Sequence, residues 1–439
     1  MLDFKAFKKH PDHFLRGLTK RSSKWKKEAQ DLASNISSTA KKRLTLEQLQ
    51  AELNSRSKRI PTLTGHVKNN EVSELKKISD VIATLLAEVR TDEETISRRW
   101  KTLPNLPSED VRAGKDESEN EIIKTVGQKP AFTFTPSDHL ELGKKLDLID
   151  TETAGLVSGT RFGYLKNEAV LLQFALIQLG LSVVTNTATL QAIIKRNNLT
   201  VSPNPFIPVI PPVMIKEEIF DRMARLEPKE ERYHLPQDNL YLVGSAEHTL
   251  GPLQMDQTLD ERQLPLRYIG YSTAFRREAG SYGKDTRGIF RVHQFDKLEM
   301  ETYSLPEHST AEQDFILAVQ EHLVQLLHLP YQVVKMCTGD MTTPDARQID
   351  IEVWLPSQRR YRETHTSDLT TDYQSRRLNI RYKKTDGEKG IVHMNDATVF
   401  AIGRTLIAIM ENFQNADGSV TVPDVLRPYM NGQSVIKPK

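Results

Sequence analysis

Basic residues and glycines are concentrated in one stretch that otherwise alternates like a β-strand. FRREAGSYGKDTRGIFRVHQFDKLE, residues 275–299, contains six Arg or Lys residues and three Gly residues. The pattern predicts two strands joined by a basic loop, with Arg276 on one limb and Arg291 on the other. Guanidinium groups on neighbouring strands can make paired hydrogen bonds to a bound phosphate chain. The stretch therefore predicts a polyphosphate site, and a solvated basic hairpin is the alternative with the same composition.

The loop of this hairpin differs from the common glycine-rich nucleotide-binding motifs. A P-loop has four residues between its glycines and a Ser or Thr directly after its Lys. GSYGKDT, residues 280–286, has only two residues between its glycines, and Asp285 follows Lys284. The sequence also lacks the G-x-G-x-x-G pattern of dinucleotide-binding folds. We therefore expect a bound phosphate chain to be held by the arginine side chains.

Two long helices joined by a turn are predicted between Ser23 and Trp100. This part has almost no Pro or Gly outside PTLTGHVKNN, residues 61–70. Apolar residues of the second helix follow the spacing of a coiled-coil seam, and the first helix has a less regular series. At 1.5 Å per residue, helices of roughly 30 to 35 residues extend about 45 to 50 Å, which predicts an antiparallel helical arm. The two series are Trp25, Leu32, Ile36, Leu46, Leu49, Leu53 and Ile60, then Leu75, Ile78, Ile82, Leu85, Val89 and Ile96.

The remainder of the chain predicts an α+β fold, with an antiparallel sheet flanked by helices. Strand-like runs such as LYLVG (240–244), DIEVWLP (350–356) and LNIRYKK (378–384) are interleaved with helix-like runs such as AVLLQFALIQLG (169–180). The two types do not alternate regularly enough for a doubly wound parallel sheet. KTLPNLPSEDVRAGKDESEN, residues 101–120, mixes Pro, Gly and charged residues, which is typical of a linker. We predict a helical arm over 1–105, a linker over 106–120 and the larger domain over 121–439.

Charge is divided unevenly along the 439 residues. Residues 1–70 hold 16 Lys or Arg and six Asp or Glu, an excess of +10, so the rest of the chain carries −8 within the total of +2. A basic appendage predicts a polyanionic partner, and a solvated basic helix is the plainer alternative. Cys337 is the only cysteine in the sequence, which excludes internal disulfides and thiolate zinc sites. With no apolar run of membrane-spanning length, we expect a cytoplasmic protein.

Three separated segments resemble the motifs of class II aminoacyl-tRNA synthetases. Residues 275–299 resemble motif 2 in the form found in seryl-tRNA synthetases. IPPVMI (210–215) resembles motif 1 around Pro212, and FAIGRTLIAIMENFQ (400–414) resembles motif 3 with its Arg404. The likeness covers essentially the whole chain, arm included. It implies a six- or seven-stranded antiparallel sheet, ATP-dependent formation of seryl-adenylate, and transfer of the seryl group to tRNA(Ser), with tRNA(Sec) as a further candidate acceptor.

The resemblance implies which residues hold the phosphates of ATP. Arg276 would bind the α-phosphate, while Arg291 and Arg404 would neutralise the outer phosphates. Arg276 and Arg404 are the implied catalytic residues, which act by positioning and by stabilising charge. Glu363 and Thr366 would hold Mg²⁺ on the phosphates, because oxygen ligands suit that ion.

The resemblance also implies the contacts to adenine and to serine. Glu278 would lie on the adenine side, and Phe295 and the backbone at Val292 would sandwich the base. A site that hydrogen-bonds a substrate hydroxyl can reject the deoxy analogue strongly, so alanine should be refused more firmly than threonine. The implied serine contacts are Ser245, Ala246, Glu247, Arg276, Glu299 and Thr398.

Two segments near the implied serine site depart from the usual family sequence. In HMNDATVFAIGR (393–404), Asp396 stands where Asn is usual, and in HTSDLTTDYQ (365–374), Asp368 and Leu369 replace Ser and Asn. An additional carboxylate near Glu299 would either attract a cation or raise a carboxylate pKa.

Three functions stay open on these residues: an active seryl-tRNA synthetase, a tRNA-binding protein of the same fold with an impaired amino-acid site, and a synthetase for another amino acid. The resemblance further implies a homodimer formed through motif 1, an arm that binds the tRNA, and no binding to membranes or DNA.

Overall fold

Two units, Met1–Leu106 and Pro107–Lys439, make up the chain in the computed structural model, which describes residues 1–279 and 287–439. GSYGKDT, residues 280–286, lies outside the described residues, and the basic loop predicted there stays a prediction.

The first unit is helical. It contains α1 (Phe4–Lys9), α2 (Pro11–Arg21), α3 (Ser23–Ser57) and α4 (Gly65–Thr102). The predicted seam residues within α3 and α4 are all buried or half-buried, which confirms the coiled-coil arm. Ile60, predicted for the first helix, lies in the turn because α3 ends at Ser57. The turn is shorter than predicted, because α4 begins at Gly65 and not after residue 70. Beyond that glycine no Pro or Gly interrupts the helical pattern, so the helix includes residues 65–70.

Ion pairs between α3 and α4 set their antiparallel register. Arg99 Nε lies 2.7 Å from Glu28 Oε1 near one end of the pair, and Arg56 Nε lies 2.8 Å from Glu71 Oε1 near the other. Lys42 Nζ lies 2.9 Å from Asp92 Oδ2 between them. Exposed pairs such as these contribute little to stability because solvent screens them, so the apolar seam carries most of the packing energy.

The short helices α1 and α2 were not predicted from the sequence. The side chain of Asp3 caps α1 by accepting hydrogen bonds from two backbone N–H groups of its first turn. Phe7 and Phe14 are buried, and the Phe7 ring lies 4.9 Å from the Trp100 ring. Trp100 Nε1 donates to the carbonyl of Leu2 at 3.0 Å. Aromatic packing at the base of α4 therefore orders two helices too short to form alone.

The second unit contains the sheet. Its helices are α5 (His139–Lys145), α6 (Thr151–Ser158), α7 (Glu168–Val184), α8 (Thr187–Arg196), α9 (Glu217–Arg222), α10 (Glu247–Leu250), α11 (Ser309–Leu326), α12 (Tyr373–Leu378) and α13 (Ile402–Asn412). Its strands are β1 (Glu121–Val126), β2 (Ile149–Asp150), β3 (Tyr164–Leu165), β4 (Ile207–Val209), β5 (Met214–Lys216), β6 (His234–Leu235), β7 (Leu240–Leu242), β8 (Thr258–Asp260), β9 (Leu266–Phe275), β10 (Gln294–Ser304), β11 (Tyr331–Lys335), β12 (Arg347–Leu355), β13 (Arg360–Thr371), β14 (Arg381–Lys383), β15 (Lys389–Ile391), β16 (His393–Ala401), β17 (Val420–Thr421) and β18 (Val435–Ile436).

Within the described ranges, eight of these strands form the main sheet in the order β1-β11-β12-β13-β16-β10-β9-β4. All neighbours are antiparallel except β4 and β9 at one edge, so the predicted antiparallel sheet is confirmed and exceeds the implied six or seven strands. The predicted helix over 169–180 lies within α7. LNIRYKK is only partly a strand, because Leu378 ends α12 and β14 begins at Arg381.

The two faces of the sheet have different chemistry. Along β10, Leu298 and Met300 point into the apolar core, where α7, α11 and α13 cover the sheet. Lys297, Glu299 and Glu301 alternate with them and therefore face the other side, since strand side chains have a period of two. One face of the sheet is the core, and the other is a floor of buried polar groups.

Of the linker predicted over 106–120, residues 107–120 belong to the second unit and pack against its other residues. The Ser108 amide donates to the carbonyl of Ala346 at 2.8 Å, and the Thr338 amide donates to the carbonyl of Arg112 at 3.0 Å. Val111 is buried beside Val334. No single described helix is long and apolar enough to span a bilayer. The pair α7 and α8, bent by 74°, meets that test of length and composition only when taken together.

Candidate active site

A cavity of about 280 Å³ opens over the polar floor of the sheet. Its walls come from the hairpin β9–β10, the strands β12, β13 and β16, and the start of α13. Eleven of the thirteen residues predicted for the site line it, including Arg276 and Arg404, which are distant in sequence. The fold therefore brings the motif 2 and motif 3 arginines to one cavity.

Arg276 directly follows β9 and is fixed by its backbone and its side chain. Its amide donates to the carbonyl of His293 at 3.0 Å, and its Nε donates to the carbonyl of Gly244 at 3.0 Å. The guanidinium carbon lies 5.3 Å from the centre of the Phe295 ring. Because one edge of the guanidinium is engaged, its terminal N–H groups have a defined direction for a bound anion.

Arg291 and Glu278 form an ion pair on the opposite wall of the cavity. Arg291 Nη1 lies 2.6 Å from Glu278 Oε2. Arg161 Nη1 donates to the carbonyl of Glu278 at 3.0 Å and helps to fix this part of the backbone. Val292 is buried and Phe295 half-buried, and both line the cavity, so they give it an apolar surface. A planar aromatic ligand of the size of adenine suits that surface.

Arg404 enters the cavity from the first turn of α13 and meets Glu363 of β13. Its Nη1 lies 3.0 Å from Glu363 Oε1 and donates to the carbonyl of the same residue at 3.0 Å. Partial removal from water in the cavity raises the pKa of the Glu363 carboxyl group. The positive charges of Arg404 and Arg276 outweigh that effect and hold the pKa below its ordinary value. Thr366 Oγ1 lies 3.5 Å from the same carboxylate. An ionised carboxylate and a hydroxyl are thus adjacent, which is a donor set that suits Mg²⁺.

The register of the sheet assembles the part of the cavity where the serine contacts were predicted. Glu299 of β10 pairs directly with Thr398 of β16, whose hydroxyl donates to Glu299 Oε1 at 3.4 Å. Lys297 Nζ lies 2.7 Å from the same oxygen. Oε2 of Glu299 is buried and has no hydrogen-bond donor among the described residues. A buried oxygen without a donor is costly unless a ligand supplies one, so a donor group of the substrate is expected there.

Glu247 and Glu299 have opposite pKa shifts. The pKa of Glu299 is raised to about 7, chiefly by burial. Lys297 partly offsets that rise, and the nearby Glu247 adds to it. Burial also raises the pKa of Glu247, but Arg225 and Lys297 outweigh it and hold that pKa well below its ordinary value. The site therefore contains one firmly ionised carboxylate and one that titrates near neutral pH.

Two predicted serine contacts do not line the cavity. Ser245 is fully buried, and its hydroxyl donates to Glu247 Oε2 at 3.3 Å. Ala246 is fully buried in a separate apolar cluster with Leu250 and Tyr268. Both residues lie behind Glu247, where Ser245 orients the carboxylate from the protein side.

Sequence analysis missed several residues that line or adjoin the cavity. Arg225 and Lys297 are the buried cations, and Lys297 could have been found because it alternates with Glu299 on β10. Phe290 packs under Arg404, with 4.8 Å from the guanidinium carbon to the ring centre. Asp350 is buried opposite Thr366 in the sheet register, and burial followed by repulsion from Glu363 raises its pKa well above the ordinary value.

The titration of Glu299 gives a prediction for pH. If ionised Glu299 receives hydrogen bonds from the substrate, kcat/KM for the amino acid should fall about tenfold per unit below pH 7. The folded pKa lies above the ordinary value of 4.5, so the folded protein binds the extra proton. The free energy of unfolding should consequently fall as pH rises from about 4.5 to about 7. Glu299→Gln should remove both trends, and an unchanged pH profile in that variant would contradict the assignment.

The comparisons with known proteins agree with this geometry. Residues 231–413 match the model of the tRNA synthetase class II core domain (G, H, P, S and T), and residues 1–107 match that of the seryl-tRNA synthetase N-terminal domain. The chain is 38% identical to the serine–tRNA ligase of Fervidobacterium nodosum over 445 residues, with 100% of both chains covered. Thermobifida fusca serine–tRNA ligase is 38% identical over 440 residues, covering 100% of this chain and 99% of the relative.

Solved structures give the same result. The crystal structure of seryl-tRNA synthetase from Pyrococcus horikoshii complexed with ATP matches with a TM-score of 0.88 at 34% identity, with 100% of both chains covered. The cytoplasmic serine–tRNA ligase of Naegleria fowleri in complex with AMP matches with a TM-score of 0.82 at 27% identity, covering 98% of this chain and 96% of that one.

The antiparallel sheet with converging arginines defines a class II aminoacyl-tRNA synthetase core. With the N-terminal domain match and full-length relatives at 38% identity, the chain belongs to the seryl-tRNA synthetase family.

Proposed function

We propose that this protein is a serine–tRNA ligase, which activates serine with ATP and transfers it to tRNA(Ser). The observation that carries the proposal is the shared cavity, in which Arg276 and Arg404 adjoin the buried carboxylates Glu247 and Glu299. Cations for a triphosphate and acids for an ammonium and hydroxyl group thus lie within one site. The impaired tRNA-binding alternative has less support, since the relatives that match the full length are serine–tRNA ligases.

In the first step, a carboxylate oxygen of serine attacks the α-phosphorus of ATP, the bond to the bridging oxygen of the β-phosphate breaks, and pyrophosphate leaves. Negative charge grows on the non-bridging oxygens of the α-phosphate, which Arg276 is placed to stabilise. The hydrogen bond from Arg276 Nε to Gly244 fixes this guanidinium before the reaction, so little reorganisation is required. Arg291 and Arg404 would neutralise the β- and γ-phosphates.

Glu247 and Glu299 would hold the serine. Ionised Glu247 would pair with the ammonium group, and Glu299 with Thr398 would hydrogen-bond the hydroxyl. Adenine would lie on Phe295 near Val292, with Glu278 at its edge. A substrate hydroxyl would supply the donor that Glu299 Oε2 lacks among the described residues.

Glu363 and Thr366 would hold Mg²⁺ on the phosphates. When bound, the ion would offset part of the negative charge of the phosphates. The pairing of Glu363 with Arg404 at 3.0 Å supports this, since it keeps an ionised carboxylate beside the proposed phosphate site.

In the second step, the terminal ribose hydroxyl of the tRNA attacks the carbonyl carbon of seryl-adenylate and AMP leaves. We assign tRNA binding to the arm, residues 1–105, and both chemical steps to residues 121–439. A homodimer through motif 1 is supported by apolar side chains there that remain exposed, such as Ile210 at 86% and Met214 at 47%. We propose that the protein acts in the cytoplasm.

Binding of tRNA by the arm should depend on salt. Several basic residues of the arm are internally paired, such as Lys42 with Asp92, whereas Lys26 and Lys27 of α3 are exposed. Each lysine that contacts a phosphate adds about one to the slope of log affinity against log salt. The double variant Lys26→Gln and Lys27→Gln should therefore lower that slope by about 2. If the affinity of the wild type for tRNA does not change with salt concentration, the basic residues of the arm are solvated and do not contact phosphates.

Serine-dependent exchange of labelled pyrophosphate into ATP tests the proposed function. Serine should support exchange, threonine should support it more weakly, and alanine should support it least because it leaves Glu299 and Thr398 without a donor. Exchange with serine at the rate of the blank would sink the proposal. Faster exchange with alanine, threonine or glycine than with serine would identify another substrate.

A further inference from the structure

A buried arginine outside the family motifs forms part of the floor of the amino-acid half of the cavity. Arg225 lies three residues after the end of α9 and is only 9% exposed. The preceding Ala224 has φ +56°, a left-handed conformation that costs a non-glycine residue about 1 kcal/mol. This turn leads the chain from the surface pair of Arg222 with Asp256 to the interior, where Arg225 lines the cavity.

The Arg225 guanidinium lies among four carboxylates that come from distant parts of the chain. Its Nε is 3.2 Å from Glu247 Oε1. Its Nη2 is 3.3 Å from Asp396 Oδ2, 3.6 Å from Asp368 Oδ2 and 3.8 Å from Asp345 Oδ1. Its Nη1 donates to the Thr342 hydroxyl at 3.0 Å. The Arg225 guanidinium group therefore links the first turn of α10 to β13 and β16.

Charge balance explains why a cation is required at this point. Burying an unpaired charge costs several kcal/mol, so buried carboxylates either pair or become protonated. Burial, together with repulsion from Glu247, raises the pKa of Asp396 well above its ordinary value, while Arg225 opposes that shift. Glu247, by contrast, has a lowered pKa, because Arg225 and Lys297 outweigh the effect of burial. Arg225 therefore stabilises the ionised forms of both Glu247 and Asp396 and lowers the cost of burying them.

The same acids resemble a cation site, but two protein cations already lie there. Oxygen atoms of Glu247, Glu299 and Asp396 lie within 4.8 Å of one another. Arg225 contacts two of these residues, and Lys297 contacts Glu299 at 2.7 Å. We therefore assign charge compensation to these two side chains.

We propose that Arg225 is a positioning residue for the amino-acid substrate, which fixes the orientation of the Glu247 carboxylate and forms a matched buried pair with Asp396. The proposal rests on the proposed function for its substrate. Asp396 Oδ2 lies 3.3 Å from Arg225 Nη2, so the buried acid and the buried cation stabilise each other. Ser245 holds Oε2 of Glu247 while Arg225 lies against Oε1, so both oxygens have defined positions.

Kinetics of pyrophosphate exchange separate positioning from general damage. Arg225→Gln should raise KM for serine about 30-fold, with KM for ATP changed less than twofold, because the ion pairs of Arg225 are with Glu247, Asp345, Asp368 and Asp396. Arg225→Lys should recover part of the loss by keeping the charge. Adding Asp396→Asn to Arg225→Gln should recover about tenfold, since the pocket then needs one cation less. Arg222→Gln, which removes a nearby arginine outside the cavity, is the matched control and should leave both constants unchanged.

Three outcomes would overturn the proposal: an unchanged KM for serine in Arg225→Gln, equal changes for serine and ATP, or effects of Arg225→Gln and Asp396→Asn that simply multiply. Thermal unfolding of the wild type, Arg225→Gln, Asp396→Asn and the double variant gives a readout that needs no activity. Arg225→Gln should lower Tm by several degrees and the double variant should regain at least half. Additive Tm shifts would disprove the matched pair. Failure of the wild type to use serine would instead sink the proposed function, and the unfolding cycle would still decide on the pair.

Discussion

Arg276→Gln is expected to lower kcat for serine-dependent pyrophosphate exchange by about 1,000-fold, since a preorganised donor to developing charge contributes 100- to 1,000-fold or more. The variant keeps a polar side chain of similar length but loses the charge and the terminal fork. Because charge on the α-phosphate grows in the transition state, kcat should fall much more than KM for ATP rises. Steady-state exchange at saturating ATP and serine measures this directly.

The neighbouring arginine provides a matched control. Arg277 is exposed, lies with its guanidinium carbon 5.7 Å from the Tyr233 ring centre, and does not line the cavity. Arg277→Gln removes the same charge one residue away and should retain nearly full exchange activity. Equal losses in both variants would mean that the general positive potential matters and not a specific contact of Arg276.

Glu247→Gln is expected to lower kcat/KM for serine about 300-fold, with a much smaller effect on KM for ATP. Truncating one partner of a buried charge pair costs about 2 to 5 kcal/mol, and here the variant removes the partner of both the substrate ammonium and Arg225. The free energy of unfolding should fall as well, by about 3 to 5 kcal/mol, because the Arg225 charge loses its main counterion. Exchange kinetics and denaturant unfolding report these effects separately.

Glu247→Asp tests the assignment if the amide variant folds poorly, because it keeps the charge and shifts only its position. The matched control is Glu217→Gln. It removes an acid that does not line the cavity and that pairs with Lys229 at 2.6 Å. That variant should retain wild-type kinetics. Serine kinetics unaffected by either change at Glu247 would contradict its proposed contact with the ammonium group.

The ATP half of the site could be predicted from the sequence because short segments carry it. Arg276 and Arg291 lie at the ends of one hairpin, whose alternating pattern predicts the strands on either side of them, whereas Val292 and Phe295 were assigned through the family resemblance. Glu363 and Arg404 required the family resemblance, since nothing local to either residue shows that α13 begins beside β13. The antiparallel sheet was predictable from strand-like runs, but its register was not.

The amino-acid half could be predicted only in part. Glu299 and Thr398 are paired by β10 and β16, and the consequences foreseen for Asp396 both occur: it lies beside a cation, and its pKa is raised. Arg225 could not be found, because it lies in a loop without periodicity and resembles the exposed arginines near it. Its burial depends on the left-handed turn at Ala224 and on acids far away in sequence.

A crystal structure with a non-hydrolysable sulfamoyl analogue of seryl-adenylate tests the central claim most directly, namely that one cavity aligns serine with the α-phosphate of ATP. We predict the sulfamoyl group against Arg276, the adenine on Phe295, and the seryl ammonium and hydroxyl groups at Glu247 and Glu299. An analogue bound elsewhere, or one whose seryl group points away from those carboxylates, would contradict the account.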